Sequence, residues 1–257
     1  MTPAFLAVAF EKPTTKDFVW PCWFGHGVFC YNLILFLLTL VFIAFILMFV
    51  VAFQRPKMVP GKFQAAMEMG IEFIRDQILL QMIGPEGLGW LPFLCTLFFF
   101  IFLGNILEVL PGIGFPLNSR IAFPAIMALT SWVIYNGVGI KRHGLGGYLK
   151  LVLFPPGVPI LLVPLIALIE FVSVIVIRPI TLTIRLFANM VAGHLLLIVF
   201  FLGSYALVTG FPYVVGLVSG AFGVVLVGFE IFVSVLQAFI FAILTASYIG
   251  GAMATEH

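Results

Sequence analysis

Arg185 stands in the middle of RPITLTIRLFANMVAGHLLLIVF, residues 178–200, a stretch that otherwise reads as membrane helix. An ionisable side chain at mid-membrane costs about 2.5–3.5 kcal/mol on insertion scales, so it marks an ion path, a proton relay or a compensating charge pair. Glu170, Arg178, Asn189, His194, Glu230, Ser234 and Gln237 lie in the same apolar text. Helical phase sorts them. Arg178 and Arg185 are seven residues apart and share a face, and Asn189, four further on, joins it. His194 is nine residues beyond Arg185, half a turn out of phase, and so addresses a different neighbour. Glu230, Ser234 and Gln237 follow i, i+4, i+7 as one polar stripe. Histidine and glutamate can exchange protons. Arginine, with a pKa above about 12, cannot relay a proton but can attract an anion.

Blander readings exist for each group. Arg185 can be the buried partner of Glu230, a pair that only fixes packing. Arg178, beside Pro179, reads as a snorkelling side chain. Asn189, Ser234 and Gln237 can be hydrogen-bond glue between helices, and Gly216 with Gly220 forms a GxxxG packing motif.

These residues need a membrane-embedded frame, and the composition supplies one. Of 257 residues 63% are hydrophobic and 9% charged, more apolar surface than a soluble domain of this size can hide. The net charge of +2 is too small to suggest a nucleic-acid partner, and none is expected. Cys22, Cys30 and Cys95 show no metal-ligand spacing; Cys22 and Cys30 can pair only if both lie outside the membrane. No cofactor or metal is expected, and no Gly-rich phosphate loop is present. Glu11, Lys12, Lys16 and Asp17 precede the first long apolar run, the wrong order for a signal peptide.

Tyr31–Phe53 is a charge-free span, followed by Arg55, Lys57 and Lys62. The positive-inside rule puts that end in the cytoplasm, residues 1–30 outside and the C-terminus in the cytoplasm. Residues 62–83 mix charged and apolar residues at helical spacing, as an interfacial amphipathic helix does. A second span, Leu91–Leu107, ends near Asn105, Glu108 and the turn PGIGFP. A third, Ile121–Ile140, runs back to Lys141, Arg142, His143 and Lys150. Residues 158–252 then form a hairpin broken at Gly203, Gly210 and Pro212, with helices over Val163–Leu207 and Val214–Ala252. Forty residues of helix would be about 60 Å long, against a hydrocarbon core about 30 Å thick. The hairpin must tilt strongly, kink near Pro179, or both. The expected fold is an all-α integral membrane protein: about five transmembrane helices (31–54, two within 91–140, two in the hairpin) plus an interfacial helix, in a single membrane domain.

TLTIRLFANM (181–190) with AGHLL, and LQAFIFAILTASYI (236–249), resemble the signature segments of subunit a of the F-type ATP synthase. NILEVLP (105–111) and GIKRHGLGGYLK (139–150) are similar to the same family's second span end and cytoplasmic loop. The resemblance runs in order from about residue 31 to the end. It implies the static half of a rotary proton translocator with two half-channels, bearing on a c-ring of small two-helix subunits, alongside peripheral-stalk b subunits and the remaining synthase subunits. By the same resemblance Arg185 is the essential arginine facing the ring carboxylate. His194 and Glu230 are interacting groups of the outer half-channel. Asn105, Asn189 and Gln237 line that channel, with Glu108 and Ser234 as further polar groups of the path. Glu170 is the acid near the exit half-channel, 15 residues before Arg185 where 14 are expected. The implied location is a bacterial plasma membrane, with the mitochondrial inner membrane as the alternative. A self-contained proton-coupled secondary transporter is the rival function, although the paired halves common in transporters are not visible.

Overall fold

A computed structural model describes residues 33–54, 59–110, 117–153, 162–208 and 213–254. The expected external segment 1–30, the Cys22–Cys30 pairing, Arg55, Lys57 and the PGIGFP turn lie outside these residues, as do Gly210 and Pro212. The described residues are mostly helical, joined by short turns, with no strand among them.

Helix α1, Leu33–Phe53, is apolar on every side, as suits a helix facing lipid. Helix α2, Lys62–Ile74, continues through a π turn at Arg75–Leu79 and a last turn to Met82. It buries Gln64, Met67, Ile74 and Ile78 at helical spacing and leaves Glu72 and Asp76 exposed, the amphipathic pattern expected for 62–83. Gly84, with φ 85°, turns the chain into a 3₁₀ segment, Pro85–Trp90. Helix α3 follows over Leu91–Ile106. Helix α4 runs over Ala122–Leu153. The third span was expected to stop at Ile140; instead the helical segment continues, broken at Gly144, whose φ of 72° only glycine adopts readily. Helices α5 (Val163–Val172) and α6 (Arg178–Val208) are joined by a π turn, Ser173–Ile177, just ahead of Pro179. Helix α7 is the longest, Tyr213–Met253, 41 residues.

Among the described residues, five helices are long and apolar enough to cross a membrane: Leu35–Phe53, Pro85–Ile106, Ala122–Leu153, Val163–Tyr205 and Tyr213–Met253. Between lipid-embedded helices no hydrophobic force acts, so close contact must come from small residues and polar bonds. The α6–α7 hairpin shows both. Ser204 Oγ donates to the Gly216 carbonyl at 2.8 Å and Ser219 Oγ to that of Phe200 at 3.0 Å. A Cβ added to Gly216 would meet the Val208 backbone at 2.5 Å, and one on Gly220 the Ser204 hydroxyl at 2.7 Å, so this GxxxG is a packing seam. At the other end of α7, Ala238, Ala242 and Ala246 let α3 and the first π turn approach, bringing in Ile78, Leu94 and Ile101. The face carrying these alanines also carries Glu230, Ser234, Gln237 and Thr245, all buried. The packing that holds α7 therefore fixes its polar stripe inward.

Candidate functional site

The polar groups fall into two clusters and one isolated cation. The first cluster gathers where the end of α3 and the following turn meet α6 and α7. Asn105, Glu108, Asn118, Glu230, Ser234 and Gln237 are all buried there. Asn118 Nδ2 donates to Asn105 Oδ1 at 2.6 Å. His194 Nδ1 lies 3.5 Å from Glu108 Oε1, long for a hydrogen bond but a close charge contact if the imidazole is protonated. Glu230 packs its carboxylate against Gly193, where any Cβ would collide with it, so a glycine beside the histidine is what admits the acid. Glu108 and Glu230 are within electrostatic reach of each other. The acid within ion-pair distance of the His194 imidazole is Glu108, whereas the expected partner Glu230 packs against the neighbouring Gly193.

This cluster is short of partners. Asn105 Nδ2, both Glu108 oxygens, Asn118 Oδ1, Asn189 Nδ2, Glu230 Oε2 and Ser234 Oγ are buried without a protein hydrogen bond. Each such group ordinarily costs about 1–3 kcal/mol, and native proteins keep only a few. Buried polar atoms of this kind are ordinarily completed by water or by a neighbouring chain.

The second cluster has its partners. Arg178 Nη2 is 3.8 Å from Glu170 Oε2, and its guanidinium stands over the Tyr248 ring at 4.8 Å. Both charged side chains are partly exposed, 29% and 39%, and face a cavity of about 220 Å³ that Tyr148 and Tyr248 also line. Tyr148 OH donates to Asn136 Oδ1 at 2.9 Å. Arg178, read from sequence as a snorkelling residue, is here an ion-pair partner of Glu170.

Arg185 belongs to neither cluster. It is exposed on α6, between the exposed apolar Ile180 and Ile184 on one side and buried Leu186 on the other. The packing reading, a buried Arg185–Glu230 pair, does not hold. Arg185 is on the outside, Glu230 is buried, and Arg185 makes no ion pair among the described residues. A third charge contact, Arg142 Nη2 to Glu86 Oε2 at 3.0 Å, ties α4 just before its Gly144 break to the 3₁₀ segment ahead of α3.

Sequence reasoning missed Asn118, Asn136, Tyr148 and Tyr248. Tyr148 and Tyr248 stand within the quoted motifs 139–150 and 236–249, where nothing sets them apart from their neighbours. Asn118 falls in a short 3₁₀ turn, Leu117–Ser119, where an asparagine ordinarily signals only chain reversal.

The model of the ATP synthase A chain family matches residues 33–250. The chain belongs to that family. It is 41% identical to ATP synthase subunit a of Frankia alni over 259 residues, covering 99% of this chain and 90% of that protein. To the subunit a of Streptomyces lividans it is 40% identical, over 98% of this chain and 91% of the other. To that of Rhodospirillum rubrum it is 39% identical, over 79% and 80%. Membership makes the chain a multi-pass membrane subunit of the ATP synthase, with a role in proton transport and ATP synthesis. It removes the self-contained transporter reading.

Proposed function

We propose that this chain is the stator of the synthase's proton drive, with Arg185 as a fixed electrostatic gate between two half-channels. The observation that carries the reading is the exposure of Arg185: a permanent cation on an apolar, outward-facing helix surface, with no ion pair among the described residues. A charge at that depth requires an anion brought by a neighbour. A carboxylate on each subunit of a rotating c-ring meets the requirement, because it arrives, is held while ionised, and leaves once protonated.

The partner-poor cluster is the outer path. His194, Glu108 and Glu230 hold and pass the proton, while Asn105, Asn118, Asn189, Ser234 and Gln237 orient water along it. The Glu170 cavity is the inner path, with Arg178 beside the acid and both groups lining the opening. A ring carboxylate releases its proton toward Glu170, passes Arg185 as an anion, and takes a new proton from the outer cluster. Each proton crossing about 100 mV releases about 2.3 kcal/mol, so direct passage between the paths would dissipate the drive. The chain acts as a single membrane domain in a bacterial plasma membrane, N-terminus outside and C-terminus cytoplasmic, against the c-ring and the peripheral-stalk b subunits. Lys141, Arg142 and Lys150 then face the cytoplasm.

The test is ATP synthesis in membrane vesicles carrying Arg185→Ala, with subunit content measured separately. The expected result is an assembled complex with no proton-driven synthesis. Substantial synthesis would remove Arg185 from the gate role.

A further inference from the structure

Glu170 and Arg178 form an ion pair across eight residues of helix, a separation that a regular α-helix does not align. At about 100° per residue the two side chains would sit about 80° apart around the axis. The π turn at Ser173–Ile177 lies between them. A π turn takes up one extra residue, so the effective spacing becomes seven and the offset falls to about 20°. The same absorbed residue gives Glu170 and Arg185 an effective spacing of fourteen, about 40° apart.

The turn is held by a particular bond pattern. The Arg178 N–H donates to the Ser173 carbonyl, five residues back. The next bond of that pattern would run from residue 179 to the Val174 carbonyl, but Pro179 has no N–H to give. Two side chains of α4 take that carbonyl instead: Trp132 Nε1 at 3.0 Å and Tyr135 OH at 2.9 Å. Val174 and Tyr135 are both buried, so no lipid-facing acceptor is left open. In an uninterrupted α-helix the carbonyl orphaned by Pro179 would be that of Ile175, one residue further round and out of line with both donors.

We propose that Trp132 and Tyr135 are positioning residues that lock this π turn, and that the turn stores one removable residue whose accommodation sets Glu170 on the face of Arg178 and Arg185. Its consequence for proton flow rests on the inner-path reading above; its geometry does not. Deleting Val176 closes the turn to an α-helix. Pro179 then lies four residues after Val174, so the same carbonyl is orphaned and the same two donors cap it. Inserting an alanine after Val176 rotates Glu170 by about 100° instead.

The experiment uses the assembled complex in vesicles, with Cys22, Cys30 and Cys95 replaced by serine and Glu170→Cys as reporter, labelled by a hydrophilic thiol reagent present on both faces. Deletion of Val176 should leave the labelling rate within twofold. The alanine insertion, and Trp132→Phe combined with Tyr135→Phe, should each lower it at least fivefold, while either Phe change alone, keeping one donor, has a smaller effect. In the chain retaining Glu170, the Val176 deletion should keep at least half of ATP synthesis. Loss of labelling or of assembly on deleting Val176, or unchanged labelling in the double Phe variant, overturns the proposal. If the insertion lowers labelling but not synthesis, the positioning role stands and the inner-path reading of Glu170 falls.

Discussion

The two polar clusters solve opposite problems. Around His194 the Glu108 and Glu230 side chains are buried, and several of their oxygens have no protein hydrogen bond. Around Glu170 the acid has a cation, the cation has an aromatic face, and both open on a cavity. A group without a fixed partner changes protonation state at low cost to the structure around it, which suits a site that loads a proton from water. A carboxylate that opens on a cavity beside a guanidinium is reachable by water, which suits a site that hands protons on to solvent.

The largest effect that would break this comparison is at the cation between the clusters. Arg185→Lys should lower ATP synthesis at least about tenfold, because an ammonium deprotonates more readily in apolar surroundings and lacks the planar fork. Next is Glu230→Gln, which keeps shape and hydrogen bonding but removes a titrating group. Proton-pumping rates should fall by about five- to tenfold, the range of a general acid–base loss partly bypassed by water. His194→Glu combined with Glu230→His should recover part of that flux. A double exchange that pumps worse than either single change would break the cluster apart as a unit. Asn118→Ala sharpens the account, since it removes the donor to Asn105 without removing a titrating group. A two- to threefold loss of flux is expected, on the order of one neutral hydrogen bond, with assembly intact.

The smallest effect is outside the membrane. Arg75 bonds Asp76 through two nitrogens, at 2.7 and 3.2 Å, and that bond holds the Asp76 carboxyl below its ordinary value. The pair's contribution is present at neutral pH and is lost only as acid titrates the carboxyl. Both side chains are exposed, 41% and 46%, so solvent screens it. Asp76→Asn should leave thermal stability of the complex and ATP synthesis unchanged at pH 7. A measurable loss would mean that this surface touches a partner.

The sequence was informative where a residue type was costly in its surroundings. Arg185 and Glu230 announce themselves in lipid, and the i, i+4, i+7 stripe on the last helix placed Glu230, Ser234 and Gln237 together on what proved to be the buried face. Two helices, Leu33–Phe53 and Tyr213–Met253, lie within two residues of the apolar runs, whereas the third span runs on past Ile140 to Leu153. Long-range neighbours were beyond its reach. No periodicity relates Glu108 to His194, or Trp132 to Val174, because tertiary packing alone brings them together. Nor does a 3.6-residue period contain a π turn, so the fifteen-residue gap between Glu170 and Arg185 looked like a misfit until the turn at Ser173–Ile177 took up the extra residue.

The central claim is that Arg185 keeps the two paths apart, and passive proton conductance tests it most directly. Vesicles carrying the complete synthase are given a potassium-diffusion potential without nucleotide, so that the ring does not turn, and proton uptake is followed with a pH-sensitive dye. The wild-type complex should hold the gradient. Arg185→Ala, assembled to the same level, should let protons cross without rotation and without synthesis. A variant as tight as the wild type would contradict the gate.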